Sequence, residues 1–215
     1  MTILIFANGD IEDVDWIRPN LASPAAILAA NGGTRHLFRL QHLPDVVIGD
    51  LDSLPQDVQE WLEAAQVTIH VYPHDKNETD LELALLHAVS HFEDDIQIFG
   101  ALGGRLDQTL ANILLLAHPA LRERRIELLT EHQRAWLVTG STKVTGKAGD
   151  IVSLVPVAGD VLVKSTSGLR WPLTNKVLSV GPALGVSNEM TGSTATFEVE
   201  SGILLLIHTD QAWQR

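Results

Sequence analysis

The sequence predicts an α/β protein in two parts: a parallel-sheet domain over residues 1–134 and an antiparallel β domain over residues 135–215. Three observations carry this reading. Short apolar runs alternate with amphipathic stretches as far as Leu129, the pattern of strands joined by helical crossovers. Several of those runs close on Asn, Gly or Asp, so polar groups gather where strands end. From Ala135 onward the runs become short and alternating, are broken by Gly, Pro, Ser and Asn, and show no long helical period.

Composition bounds the rest. With 215 residues and 45% hydrophobic content, the chain is long enough to bury a core as one large or two small domains. The absence of cysteine excludes disulfides, thiolate metal sites and a cysteine nucleophile. Met1–Ala7 has no basic leader, and no apolar run approaches the roughly 20 residues that span a bilayer. The expectation is a cytoplasmic protein. A formal charge of −12 argues against nucleic acid or an anionic membrane as the main partner. It leaves room for a phosphate ligand, because a bound divalent cation reverses the local sign.

Taken in order, Thr2–Ala7 reads as a strand closed by the turn Asn8-Gly9-Asp10. Ala25–Ala30 is a second, closed by Asn31-Gly32-Gly33, where the glycines permit positive φ, close approach of a ligand, or a plain tight turn. Thr34 is a candidate cap for a short helix through Leu40. Val46–Gly49 is a buried strand that runs into Asp50-Leu51-Asp52-Ser53. In a parallel sheet ligands collect beyond the carboxyl ends of the strands, and Asp50 and Asp52 point the same way if the strand continues. Two convergent carboxylates suit Mg²⁺ and the phosphates it accompanies. The alternative is a loop that caps the next helix, since Ser53 and Gln56 have capping-box spacing and Pro55 suits a first turn.

Gln56–Ala65 then reads as a helix and Val67–Tyr72 as a β-branched strand. Pro73–Glu82 is a polar loop into an amphipathic helix that ends near Phe92, with Thr79 and Glu82 as a capping box and Asp80 complementing the helix dipole. Capping accounts for Thr79, Asp80 and Glu82. It does not account for one strand end delivering Asp75, Lys76 and Asp80 together. Ile96–Phe99 is a strand, followed by the glycine-rich Gly100–Asp107 and a helix expected from Gln108 to Ala117 with Asp107 as its N-cap. Backbone N–H groups at such a helix start suit a phosphate, and Arg105 adds a forked donor. The spacing is neither the dinucleotide-binding glycine fingerprint nor the P-loop. Ile126–Leu129 is a further strand of the same sheet. Beyond it, strands at Asp150–Val157, Val161–Lys164, Thr194–Val199 and Ile203–His208 point to a sandwich or barrel. Trp16, Trp61, Trp136 and Trp213 read as packing or surface residues, and no histidine spacing fits a metal site.

Asn31-Gly32-Gly33, Gly49-Asp50-Leu51-Asp52-Ser53, Asp75–Asp80 and Gly103-Gly104-Arg105-Leu106-Asp107 through Asn112, in that order, resemble the motifs of the thiamine pyrophosphokinase family. Gly168–Leu173, Ser187-Asn188-Glu189 and Gly202–Ile207 are similar to its C-terminal pattern, so the resemblance spans nearly the whole chain. Three positions depart from it: Asn31 and Asn77 stand where Asp is usual or frequent, and Gln108 where His is common. Gln108 cannot act as a general base.

The resemblance implies an N-terminal α/β domain with a Rossmann-like parallel sheet, a C-terminal antiparallel β-sandwich, and a homodimer with active sites between subunits. It implies transfer of an intact pyrophosphoryl group from ATP to the hydroxyethyl oxygen of thiamine. Asp50, Asp52 and Asp80 become the implied Mg²⁺ ligands. Lys76, Thr79 and Arg105 go to phosphates, Gly103 and Gly104 to close backbone approach, and Asn31 to the nucleotide. Asp107 would complete the metal shell or accept the hydroxyl proton, with an N-cap as the competing role. Trp171 becomes a stacking surface for the substrate's aromatic cation, with Ser187 and Asn188 as hydrogen-bond partners; without the resemblance, Trp171 reads as core. A non-catalytic sensor and a different heterocyclic alcohol acceptor are the alternatives.

Overall fold

The computed structural model describes residues 1–51, 54–73 and 75–214, so Asp52 and Ser53, both named above, lie outside the described residues. The chain divides into two units, Met1–Glu131 and His132–Arg215. In the first, the elements are β1 (Thr2–Phe6), β2 (Ala26–Ala30), α1 (Thr34–Leu40), β3 (Val46–Gly49), α2 (Gln56–Ala64), β4 (Thr68–Val71), α3 (Asp80–His91), β5 (Asp95–Phe99), α4 (Leu106–Leu115) and β6 (Ile126–Leu129). A 3-10 segment, Asp15–Ala22, separates β1 from β2.

The six strands lie in the order β6-β5-β1-β2-β3-β4, and every pair is parallel. Parallel strands are covered on both faces, which is why β2 is apolar throughout, with all five residues buried. From β1 the chain steps outward to β4, then returns to place β5 on the other side of β1. Strand order therefore reverses at β1, the switch point where ligands of open α/β sheets bind. Register aligns the rim: Phe6 pairs with Ala29 and Phe99, and Ala30 with Ile48. Residues following these four strands consequently emerge side by side. Beneath them Phe6 stacks on Phe99 with centroids 5.1 Å apart, and Trp16 tilts over Phe99 at 5.6 Å.

Helix boundaries follow local chemistry. Thr79 caps α3 by accepting from the Glu82 N–H at 3.1 Å, as its capping-box spacing requires. Leu81, Ala84, Leu85 and Ala88 give α3 its buried stripe. Two expected caps are corrected. Thr34 is the first residue of α1 rather than its cap, and its hydroxyl donates back to the Asn31 carbonyl at 2.7 Å. α4 begins at Leu106, with Arg105 at the cap position, so Asp107 sits in the first turn rather than before it. Its carboxylate engages Arg105 and the Gln108 N–H instead.

The second unit comprises β7 (Gln133–Val138), β8 (Ser141–Thr145), β9 (Ile151–Pro156), β10 (Val161–Ser167), β11 (Thr174–Leu178), β12 (Asn188–Glu189), β13 (Thr194–Ser201) and β14 (Leu204–Thr209). They form two antiparallel sets, β12-β9-β14-β7 and β11-β10-β13-β8. Alternate residues of both turn into one core, among them Trp136, Leu154 and Leu206 from the first and Val144, Val163 and Phe197 from the second. No helix among the described residues is long and apolar enough to cross a membrane.

Candidate active site

The rim of the parallel sheet encloses a cavity of about 360 Å³, the size of a small-ligand site. Ala7–Asp10 after β1, Asn31 after β2, Thr79 and Asp80 at the start of α3, and Gly103-Gly104-Arg105 before α4 all line it. The described residues therefore bring Asn31, Thr79, Asp80, Gly103, Gly104 and Arg105 to one place. Gly103 and Gly104 both take positive φ, +92° and +68°, which bends the loop so that backbone faces the cavity.

Asn31 links the acids. It is buried and holds φ at +42°, a left-handed conformation that asparagine tolerates better than most residues. Its Nδ2 donates to Asp50 Oδ1 at 2.7 Å and to Asp80 Oδ2 at 3.1 Å. Lys76 Nζ donates to the other Asp80 oxygen at 2.7 Å, in a pair whose side chains are only 12% and 25% exposed. Asp50, Asn31, Asp80 and Lys76 thus form one hydrogen-bonded chain drawn from the ends of β3 and β2, the start of α3 and the segment before it. Like charges brought together repel, and here a neutral amide lies between the two carboxylates while one ammonium offsets the charge of Asp80. Among the described residues no three His, Cys, Asp or Glu side chains gather as a metal centre.

Arg105 and Asp107 pair with each other at the surface, the Arg105 Nε 3.1 Å from Asp107 Oδ1. Arg105 first, and then the Gln108 N–H, hold the Asp107 carboxyl below the usual range. Arg105 lines the cavity and Asp107 does not.

In the second unit, Trp171 and Asn188 are brought together. Asn188 Oδ1 accepts from the Trp171 N–H at 3.1 Å and its Nδ2 donates to the Trp171 carbonyl at 2.6 Å. Asn188 is buried, whereas Trp171 is 55% exposed, so the indole is presented outward rather than packed. Arg170 lies over one ring face at 4.9 Å and is held there by Glu189 at 3.0 Å. Ser187, adjacent in the chain and exposed, adopts φ of +61° and donates its N–H to Ser153 Oγ at 3.1 Å. Asp150 anchors the same segment: its carbonyl accepts from Met190, while its buried carboxylate bonds His208 at 2.8 Å and the N–H groups of Lys147 and Gln211. Burial opposes ionisation of Asp150, but these donors outweigh it and hold the carboxyl below its ordinary value.

Sequence reasoning missed Asn8, Asp10 and Arg35, all of which line the cavity. The signal was present, since Asn8-Gly9-Asp10 closes a strand as Asp50 does. What the sequence lacked was the pairing of β1 with β5, which sets that turn beside Gly103 and Gly104.

Comparison with known proteins matches residues 19–129 to "Thiamin pyrophosphokinase, catalytic domain" and residues 141–204 to "Thiamin pyrophosphokinase, vitamin B1 binding domain". The thiamine pyrophosphokinase of Bacillus subtilis (strain 168) is 32% identical over 184 residues, covering 85% of this chain and 86% of that protein. Thiamine pyrophosphokinase 1 of Arabidopsis thaliana is 28% identical over 84% of this chain and 76% of its own. Among solved structures, the thiamin pyrophosphokinase of Geobacillus thermodenitrificans superposes with a TM-score of 0.86 at 30% identity, over 98% of both chains.

Proposed function

The chain belongs to the thiamin pyrophosphokinase family, and from that premise we propose that it transfers a pyrophosphoryl group from ATP to the hydroxyl of thiamine, releasing AMP. One observation carries the assignment to a site: Asp50 and Asp80, from separate crossover units, both bond the single amide of Asn31 at the switch point of the sheet. A non-catalytic sensor is not favoured, since the matched relatives are named as kinases over most of this chain.

Mg²⁺ fits these residues. The donors are hard carboxylate oxygens that already converge on positive or hydrogen-bearing groups, and Mg²⁺ typically takes one or two carboxylates together with substrate phosphates. Asp50 and Asp80 would hold it, with Asp52 the third expected ligand. When bound, the ion neutralises phosphate charge, the main requirement of phosphoryl transfer. Lys76 and Arg105 supply further positive charge, Thr79 starts the helix whose N-terminus faces the cavity, and Gly103 and Gly104 let backbone approach the phosphates. Asp107 pairs with Arg105 outside the cavity lining, and on this reading its carboxylate completes the metal shell or accepts the hydroxyl proton once phosphate engages Arg105.

For thiamine, the second unit offers the open face of Trp171, since Arg170 covers the other. Asn188 acts by fixing the Trp171 backbone, and Ser187 is the exposed hydroxyl beside it. We read the first unit as Rossmann-like and the second, two antiparallel sheets on one core, as a β-sandwich. A homodimer with its active sites between subunits is supported by Leu106, Leu110 and Leu114, which expose an apolar stripe along α4. The charge of −12 supports small-molecule partners over nucleic acid or membranes, and the cysteine-free chain supports a cytoplasmic location.

The test is product identification from purified protein with Mg-ATP and thiamine. Equimolar AMP and thiamine diphosphate are expected. ADP with thiamine monophosphate would overturn pyrophosphoryl transfer, and turnover only with another heterocyclic alcohol would overturn the acceptor.

A further inference from the structure

Helix α1 directs three basic side chains onto one stretch of backbone. His36 Nε2 lies 2.9 Å from the Gly9 carbonyl. Arg35 Nη2 donates to the carbonyls of Asn8 and Gly9, each at 3.0 Å. Arg39 donates to Ile11 at 2.7 Å and Glu12 at 2.6 Å. The held stretch, Asn8–Asp10, is one wall of the cavity. From the opposite side the Gly9 N–H donates to the Gly100 carbonyl at 2.6 Å. A Cβ on Gly9 would stand 2.3 Å from the Leu102 oxygen, so the turn is seated directly on the loop that carries Gly103 and Gly104.

His36 differs from its two neighbours in being buried, at 1% exposure. A carbonyl only accepts, so Nε2 must carry the proton and Nδ1 must be the bare acceptor. That Nδ1 is buried without a hydrogen-bond partner among the described residues. Burial first, then Arg35 and Arg39, hold the ring neutral with a pKa of about 4, although the Gly9 bond and Asp10 favour its charged form. An orphaned buried acceptor is costly, and a phenyl ring would fill similar space without it. Packing alone therefore does not call for histidine at this position; the bond to Gly9 does.

We propose that His36 is a positioning residue for nucleotide binding, whose Nε2–H fixes the Gly9 carbonyl and so aims the Asn8–Asp10 turn into the phosphate cavity. This rests on the function proposed above. The experiment compares His36→Phe, which keeps shape and loses the donor, with His36→Gln, whose amide nitrogen reaches the Nε2 position, and His36→Asn, which reaches only the Nδ1 position. Mg-ATP affinity is measured by calorimetry, alongside KM, kcat and the melting temperature. Loss of one neutral hydrogen bond predicts a Kd and KM for Mg-ATP raised about 5- to 10-fold in the Phe and Asn variants. KM for thiamine should be unchanged, and the Gln variant should bind close to wild type. If His36→Phe is too unstable to purify, the Gln and Asn pair gives the same comparison. Equal affinities in all folded variants, or Gln no better than Asn, would overturn the role. Wild-type protein that does not bind Mg-ATP would overturn this inference together with the function it rests on.

Discussion

The side-chain amide of Asn31 donates to Asp50 at 2.7 Å, tying the end of β2 to the residue after β3. Through a second bond at 3.1 Å the same nitrogen reaches Asp80. A neutral donor thus sits between two carboxylates, where the family resemblance leads one to expect a third acid. Asn31→Asp should therefore destabilise the protein without divalent cations, by on the order of 1–2 kcal/mol from added like charge. Mg²⁺ should restore the loss. Melting curves in EDTA and in Mg²⁺ check this; the same shift in both media would show that the position does not sense a cation.

Lys76 bonds Asp80 from a largely buried position, so it competes with any cation for that carboxylate; under the proposed function it also offers charge to a phosphate. Lys76→Met should separate the two effects. Mg-ATP affinity should fall about 10- to 100-fold, in line with roughly 1.5–3 kcal/mol for a charged hydrogen bond, while the Mg²⁺ concentration for half-maximal activity should fall as well. Kinetic titrations of each component check the opposite signs.

Trp171 is exposed, whereas Asn188 is buried and makes two bonds to the Trp171 backbone. Trp171→Ala should raise KM for thiamine about tenfold, consistent with roughly 1–2 kcal/mol for a cation over an indole, with little change in melting temperature. Asn188→Ala should raise the same KM and also lower stability by about 1–2 kcal/mol, because it removes two part-buried hydrogen bonds to the Trp171 backbone. Steady-state kinetics and denaturant unfolding distinguish the two patterns.

Stability should rise with pH across the acid range. His36 has a folded pKa of about 4 against an ordinary 6.5, so between these values the unfolded chain binds the extra proton. Its contribution is complete above pH 6.5 and is lost as pH falls toward 4, by about 2 kcal/mol at pH 5. His87, lowered by burial and then by His91 and His70, acts in the same direction. Urea unfolding at pH 7.5 and 5.0 should show a smaller pH difference in His36→Gln than in wild type, which removes the His87 share from the comparison.

Much of this was legible in the residues. Apolar runs gave the six parallel strands, four of them (β1, β2, β3 and β5) closing on Asn, Gly or Asp, and Thr79 with Glu82 gave the start of α3. The acids at Asp50 and Asp80 stood out because local chemistry leaves their number unexplained. Long-range geometry was not legible. β5 returns beside β1 after three intervening strands, which sets Asn8 and Asp10 beside Gly103 and Gly104, and Arg35 reaches the same turn from α1. Asp107 was misplaced at a cap because its spacing suits one, while Arg105 beside it is a stronger partner. That Asn188, in a strand of two residues, bonds both the N–H and the carbonyl of Trp171 was likewise not legible, because the two lie 17 positions apart in the chain.

The most direct measurement is calorimetric titration of ATP, with and without Mg²⁺, into wild-type protein and an Asp50→Asn, Asp80→Asn double variant. The account predicts that Mg²⁺ tightens ATP binding to wild type and leaves the variant's affinity unchanged. An equal gain from Mg²⁺ in both proteins would contradict it.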